Sequence, residues 1–92
     1  MIGPESRLRR RERVLVQRAA GTLVLLDLDG GQYYALDEVS ARVWELCDGQ
    51  HGVGTIVEAI GSEYDAPVET IYEDVVAFLE EMLDETLVVQ EP

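Results

Sequence analysis

The chain has 92 residues, 47% of them hydrophobic, enough for one small domain with a modest core. Its formal net charge is −12 without a single lysine, which argues against a body that binds nucleic acid or anionic membrane. One cysteine, Cys47, excludes an internal disulfide, and no stretch approaches the ~20 apolar residues of a membrane span.

The charge is unevenly placed. Arg7, Arg9, Arg10, Arg11, Arg13 and Arg18 against Glu5 and Glu12 leave +4 on the first 18 positions. The remainder has Arg42 against seventeen carboxylates, −16. Such a body suits a cationic partner, or serves solubility alone. Met1 to Arg13 lacks the apolar centre of a signal peptide, so a cytoplasmic location is expected.

In chain order, residues 1–12 read as a flexible basic arm and 13–92 as the folded domain. Arg13 to Ala19 alternates as a first strand, and Ala20-Gly21 turns it into a second, Thr22 to Leu28. Asp29-Gly30-Gly31 is a hairpin signal, and Gln32 to Leu36 is the returning third strand. Asp37 is placed to cap a helix whose apolar face is marked by Val39, Val43, Leu46 and Cys47, with Gly49 as its stop. Asp48 to Gly54 reads as a loop. Val53 to Glu63 is a second helix, with Val53, Ile56, Val57 and Ile60 at helical spacing. Pro67 opens a third, Val68 to Asp84, whose apolar residues fill an arc of about 160°. Leu87-Val88-Val89 is either a short last strand or a packed tail. The expected fold is α+β, a small winged-helix-like domain in which a three-stranded antiparallel sheet is followed by three helices.

Catalytic chemistry is not visible. Cys47 and His51 are the only soft ligands, too few for a zinc site, so no metal and no cofactor is expected. Cys47 reads as a small buried hydrophobe and His51 as an exposed loop residue. The carboxylates show no spacing that separates a catalytic pair from a solvated face. The glycine pairs lack the Lys and Ser/Thr of a phosphate loop. A non-enzymatic binding role is left.

Two features are suited to it. The third strand is an edge of the expected sheet, and an edge offers free N–H and C=O groups to an extended peptide. Tyr33 and Ala35 face one way, Tyr34 and Leu36 the other, with the latter pair expected on the core side. The third helix is the second feature. Val68, Tyr72, Val75, Leu79 and Met82 are expected to face the core, and either Ile71 with Phe78 or Val76 with Leu83 to line a groove.

The order Leu25-Leu26-Asp27-Leu28-Asp29-Gly30-Gly31-Gln32-Tyr33-Tyr34-Ala35-Leu36-Asp37, then Val43-Trp44-Glu45-Leu46-Cys47-Asp48-Gly49, resembles the PqqD-like family. Ile56-Val57, Tyr64-Asp65-Ala66-Pro67, Asp74-Val75 with Phe78-Leu79, and Leu87-Val88 extend the resemblance over nearly the whole chain. Thr86 departs from it where Gly is frequent, and Gly52 where Ser or Thr caps. The resemblance implies a recognition element that binds the leader of a ribosomally made precursor peptide, adding it as a strand to the third strand beside the third helix. The implied peptide-binding set is Gln32, Tyr33, Tyr34, Ala35 and Leu36 with Ile71, Val75, Val76, Phe78, Leu79, Met82 and Leu83. The segment Asp27 to Tyr34 lacks the Pro-Glu type of stretch usual in pyrroloquinoline quinone pathways. It is more similar to the stand-alone leader-binding proteins of lasso-peptide pathways. The implied partners are a precursor leader and a processing enzyme, a cysteine protease or another modifying enzyme, with no nucleic acid and no membrane. A peptide chaperone of pyrroloquinoline quinone biosynthesis is the alternative, and a winged-helix DNA binder a remote one. An exposed edge strand also admits a homodimer.

Overall fold

The computed structural model describes residues 2–92. In chain order the elements are β1 (Arg7–Arg10), β2 (Val14–Ala19), β3 (Thr22–Asp27), β4 (Tyr33–Leu36), α1 (Glu38–Leu46), β5 (Asp48–Gly52), α2 (Val53–Glu63), α3 (Val68–Asp84) and β6 (Val88–Gln90). They form a mixed α+β fold with two antiparallel three-stranded sheets, ordered β2-β3-β4 and β5-β1-β6.

The first sheet is the expected meander. Leu23, Leu25 and Asp27 of β3 point inward, and Val24 and Leu26 point to the other, more open face. Ala20 (φ 50) and Gly21 (φ 83) both take left-handed conformations, as the two-residue turn joining β2 to β3 requires. The β3–β4 turn closes through Gly31 N–H to Asp27 C=O (2.7 Å) and Asp27 N–H to Gln32 C=O (2.9 Å). A Cβ on Gly30 would stand 2.9 Å from Asp27 Oδ2, so that position has to stay small.

The second sheet corrects the sequence expectation of one sheet and a free arm. Arg7–Arg10 is its central strand, paired with β5 on one side and β6 on the other. A run of arginines reads as a solvated arm, but here Arg9 and Arg10 have local partners and the one apolar residue, Leu8, is fully buried. Arg9 Nε donates to Glu91 (2.5 Å), and Arg10 Nη1 donates to the Trp44 and Glu45 carbonyls at the open C-terminal end of α1. The expected loop after α1 is β5, because Asp48 and Gly52 lie opposite Arg9 and Arg7. His51 is accordingly half-buried, its Nδ1 2.9 Å from Asp48 Oδ1. The tail resolves as a strand, and it pairs with β1.

Arg11 ties the two sheets together. Its Nη2 donates to Asp27 (2.5 Å) and its Nη1 to Asp29 (3.1 Å), while Arg13 Nε reaches Asp29 at 2.7 Å. Asp27 is only 7% exposed. Burial pushes its pKa up, but the backbone N–H groups of Gly30 and Asp29 and the Arg11 guanidinium outweigh that and hold it below the ordinary value.

The helices run as the periodicity predicts. Asp37 Oδ1 accepts from Ser40 N–H (2.8 Å) and starts α1, which buries Ala41, Val43 and Trp44 and leaves Val39 exposed. α2 buries the four residues read from spacing. α3 buries Ile71, Val75, Leu79 and Met82, whereas Val68 is exposed. Its end is a Schellman motif: Leu87 N–H donates to Met82 C=O (2.9 Å) and Thr86 N–H to Leu83 C=O (3.0 Å). Thr86 takes φ 60 there, a conformation that suits glycine. Leu8, Leu25, Ile56, Ile60, Leu79 and Leu87 form the centre of the core.

Candidate functional site

The hydrogen-bond alternation of β3 determines what β4 displays. Leu28 N–H goes to Arg13 on the β2 side, and Asp27 N–H goes to Gln32 on the β4 side. With Leu25 opposite Tyr34 and Leu23 opposite Leu36, the inward bonds of the hairpin belong to Gln32, Tyr34 and Leu36. Tyr33 and Ala35 therefore direct both N–H and C=O away from β3. Among the described residues no strand pairs with that edge, since β6 lies on β1.

Beside the edge a cleft of about 420 Å3 separates β4 from α3 and the start of α1. One wall is Tyr33, Tyr34, Ala35 and Leu36, and the other is Phe78 and Met82. Glu81, one turn from Phe78, and Asp37 with Ser40 add a polar rim. As expected, Tyr34 and Leu36 lie on the core side, while Tyr33 is 72% exposed.

Tyr34 fixes the distance between strand and helix. Its hydroxyl lies 2.6 Å from Gln32 Oε1 and 2.7 Å from Glu85 Oε2, just past the end of α3. The hydrogen bond to the Glu85 carboxylate, then burial, then the negative charges of Glu85 and Asp27, push the phenol pKa up to about 12. Tyr34 thus remains a neutral donor, anchoring the wall.

Of the helix residues read from sequence, the structure brings only Phe78 and Met82 to this cleft. Ile71, Val75 and Leu79 are buried in the core instead. Leu83 is half-buried against the core, and Val76 opens on another side of α3 with Tyr72, Ala77 and Glu80. Asp37, Ser40, Glu81 and Glu85 were missed. Position i+3 from Phe78 was the available signal for Glu81, but its charge assigned it to the solvated face.

The remaining reactive groups are not gathered into a centre. Burial, with Asp48 adding to it and Arg10 opposing it, pushes the Cys47 thiol up to about 12, and its Sγ donates to Val43 C=O (3.3 Å). Asp48 lies low, at about 2, held by the Gln50 backbone N–H and the His51 side chain. Among the described residues no group of three or more His, Cys, Asp or Glu is placed to hold a metal. No described helix is long and apolar enough to cross a membrane.

Known proteins resemble this chain in sequence and in fold. The PqqA binding protein of Bradyrhizobium diazoefficiens is 38% identical over 50 residues, 54% of this chain and 48% of that protein. The PqqA binding protein of Rhodopseudomonas palustris is also 38% identical over 50 residues. The matched segment spans about half the length of these relatives. Among solved structures, TbiB1 in complex with the TbiA(beta) leader peptide superposes with a TM-score of 0.79 at 30% identity, covering 87% of this chain and 93% of that one. A lasso peptide synthetase B1 complexed with the leader peptide superposes at 0.80 with 21% identity, a likeness of fold, covering 89% of this chain and 96% of that one. The family described as Coenzyme PQQ synthesis protein D (PqqD) matches residues 22–88, from β3 to the start of β6, and the chain belongs to that family.

Proposed function

We propose that this chain is a non-catalytic recognition element that binds the leader of a ribosomally made precursor peptide as an added strand on β4. The observation that carries the reading is the uncovered β4 edge, where Tyr33 and Ala35 direct both backbone groups outward beside a cleft against α3. A strand laid there gains main-chain bonds at Tyr33 and Ala35, and its alternate side chains fall towards Phe78 and Met82. Relatives described as PqqA binding proteins, and a leader-bound structural relative at 30% identity, support the same role.

The lasso-type assignment, with a separate cysteine protease or other modifying enzyme as the second partner, is the reading suggested by the Asp27 to Tyr34 segment, and a lasso peptide synthetase B1 shares the fold. The 38% identity to PqqA binding proteins favours the second reading, a peptide chaperone of the pyrroloquinoline quinone pathway. The proposed setting is cytoplasmic and free of cofactor and metal. A winged-helix DNA-binding role is disfavoured by the carboxylates Glu69, Glu73, Asp74, Glu80 and Asp84 along exposed α3.

Fluorescence anisotropy tests this with three labelled probes: the leader of a short precursor encoded beside this gene, a PqqA peptide, and a DNA duplex. Saturable binding of the first alone is expected. Preference for PqqA moves the assignment to the second pathway, and binding of neither peptide by folded protein refutes leader recognition.

A further inference from the structure

Val68, the first residue of α3, is 55% exposed although it continues the helix's apolar pattern. It borders a second groove of about 500 Å3, between the first turns of α2 and α3, whose apolar lining is completed by Pro4, Gly54, Val57 and Tyr72. Gly54 N–H donates to Pro4 C=O (2.8 Å), and a Cβ at 54 would stand 3.4 Å from that oxygen. The Gly3–Glu5 turn thereby closes tightly on α2 and leaves the groove walled on that side.

Three carboxylates, Glu58, Glu69 and Glu73, stand around these apolar residues. None has an ion-pair partner among the described residues. Five of the seven arginines are paired with other carboxylates: Arg9 with Glu91, Arg11 and Arg13 with Asp29, Arg18 with Glu45, and Arg42 with Glu63. The groove is therefore apolar within and negative at its border, with no cation supplied by the fold.

We infer that this groove docks a cationic amphipathic segment of a partner protein. Its large apolar side chains pack on Val57, Val68 and Tyr72, and its arginines or lysines meet Glu58, Glu69 and Glu73. Charge selects this occupant. A nucleic acid meets three carboxylates, and a second copy of the chain brings the same three carboxylates to the same place. The site is independent of the β4 cleft. The groove is lined by the first turns of α3 and the cleft by its later turns, with no lining residue in common, and Val68 is about 15 Å along the axis from Phe78. A peptide on β4 and a segment in this groove can be held at once, each at a different stretch of α3.

The test uses the full chain and a short fluorescein-labelled peptide of leucine and arginine, with leucines at i, i+3, i+4 and i+7. Its control has the same composition with the leucines scattered. Saturable binding of the first peptide is expected, with amide shifts in 15N spectra centred on Gly54, Val57, Val68 and Tyr72. Val68→Ser is expected to weaken it about fivefold. The triple change Glu58→Gln, Glu69→Gln, Glu73→Gln is expected to weaken it and remove most of its salt dependence. Both variants should keep the parent's thermal midpoint and its affinity for a leader. Equal binding of the scattered control, shifts centred on Asp74, Glu80 and Asp84, or unchanged affinity in Val68→Ser overturns the inference. So does no binding at all. A concentration-dependent dimer abolished by Val68→Ser would also overturn it, making the groove a self-interface.

Discussion

Replacing Ala35 with proline separates the edge of β4 from its interior. The Ala35 N–H points away from β3, so proline removes an outward donor and leaves the β3–β4 ladder intact. Edge strands accept proline on that side, and the thermal midpoint should move little. One lost main-chain hydrogen bond costs about 1 kcal/mol, so the dissociation constant of a leader should rise about five- to tenfold. Tyr34→Pro and Leu36→Pro are the contrast. Each removes a donor directed at β3 and should lower stability before it says anything about binding. Anisotropy of a labelled leader, paired with thermal melts, reads both quantities. A folded Ala35→Pro protein with parental affinity would refute strand addition at this edge.

Phe78→Ala should weaken leader binding, whereas Val76→Asp should leave it within about twofold, because Val76 opens away from the cleft; equal losses in titrations of both would place the groove elsewhere. Leu8→Ala should cost about 2–5 kcal/mol in chemical denaturation, since this side chain is fully buried in a central strand; a neutral result would restore the arm. Thr86→Gly should stabilise by about 1 kcal/mol by relieving the left-handed backbone at the end of α3, and a lower melting point would contradict this. Asp27 and Asp48 titrate below their ordinary 3.8, so protonation is harder in the folded than in the unfolded chain. Their stabilisation is therefore complete above about pH 4 and is lost as pH falls through the folded values. Melts from pH 5 to 2 should show this fall, shallower in Asp27→Asn, and an equally steep fall there would assign it to other carboxylates.

The local code was legible where a feature repeats or a turn demands a particular backbone. α2 and α3 have the expected boundaries because their apolar spacing is sustained over several turns. The hairpin and the Asp37 cap followed from Asp29-Gly30-Gly31 and from the short oxygen side chain before α1. β1 and β5 were illegible for a common reason. Arg7–Arg10 contains one apolar residue and Asp48–Gly52 none, so neither shows alternation, and each is a strand only because distant backbone reaches it. The wheel defined an apolar arc for α3 without saying which neighbour meets which flank. Packing then enclosed Ile71 and left Phe78 at the cleft. Glu81 and Glu85 were lost to the same approximation, since a charged side chain beside a neighbouring strand looks solvated on a wheel.

The pairing of β1 with β6 also sets the order in which the molecule can assemble. Arg9 and Glu91 are joined across 82 positions of sequence, whereas β2, β3 and β4 are nearest neighbours linked by short turns. Sequence-distant contacts form slowly, so the meander should arise early and the other sheet last. A chain emerging from the ribosome would therefore expose the unpaired β4 edge before the last strand clamps the far end of α3. During that interval the feature suited to receive a peptide is also the one most open to pairing with another nascent copy.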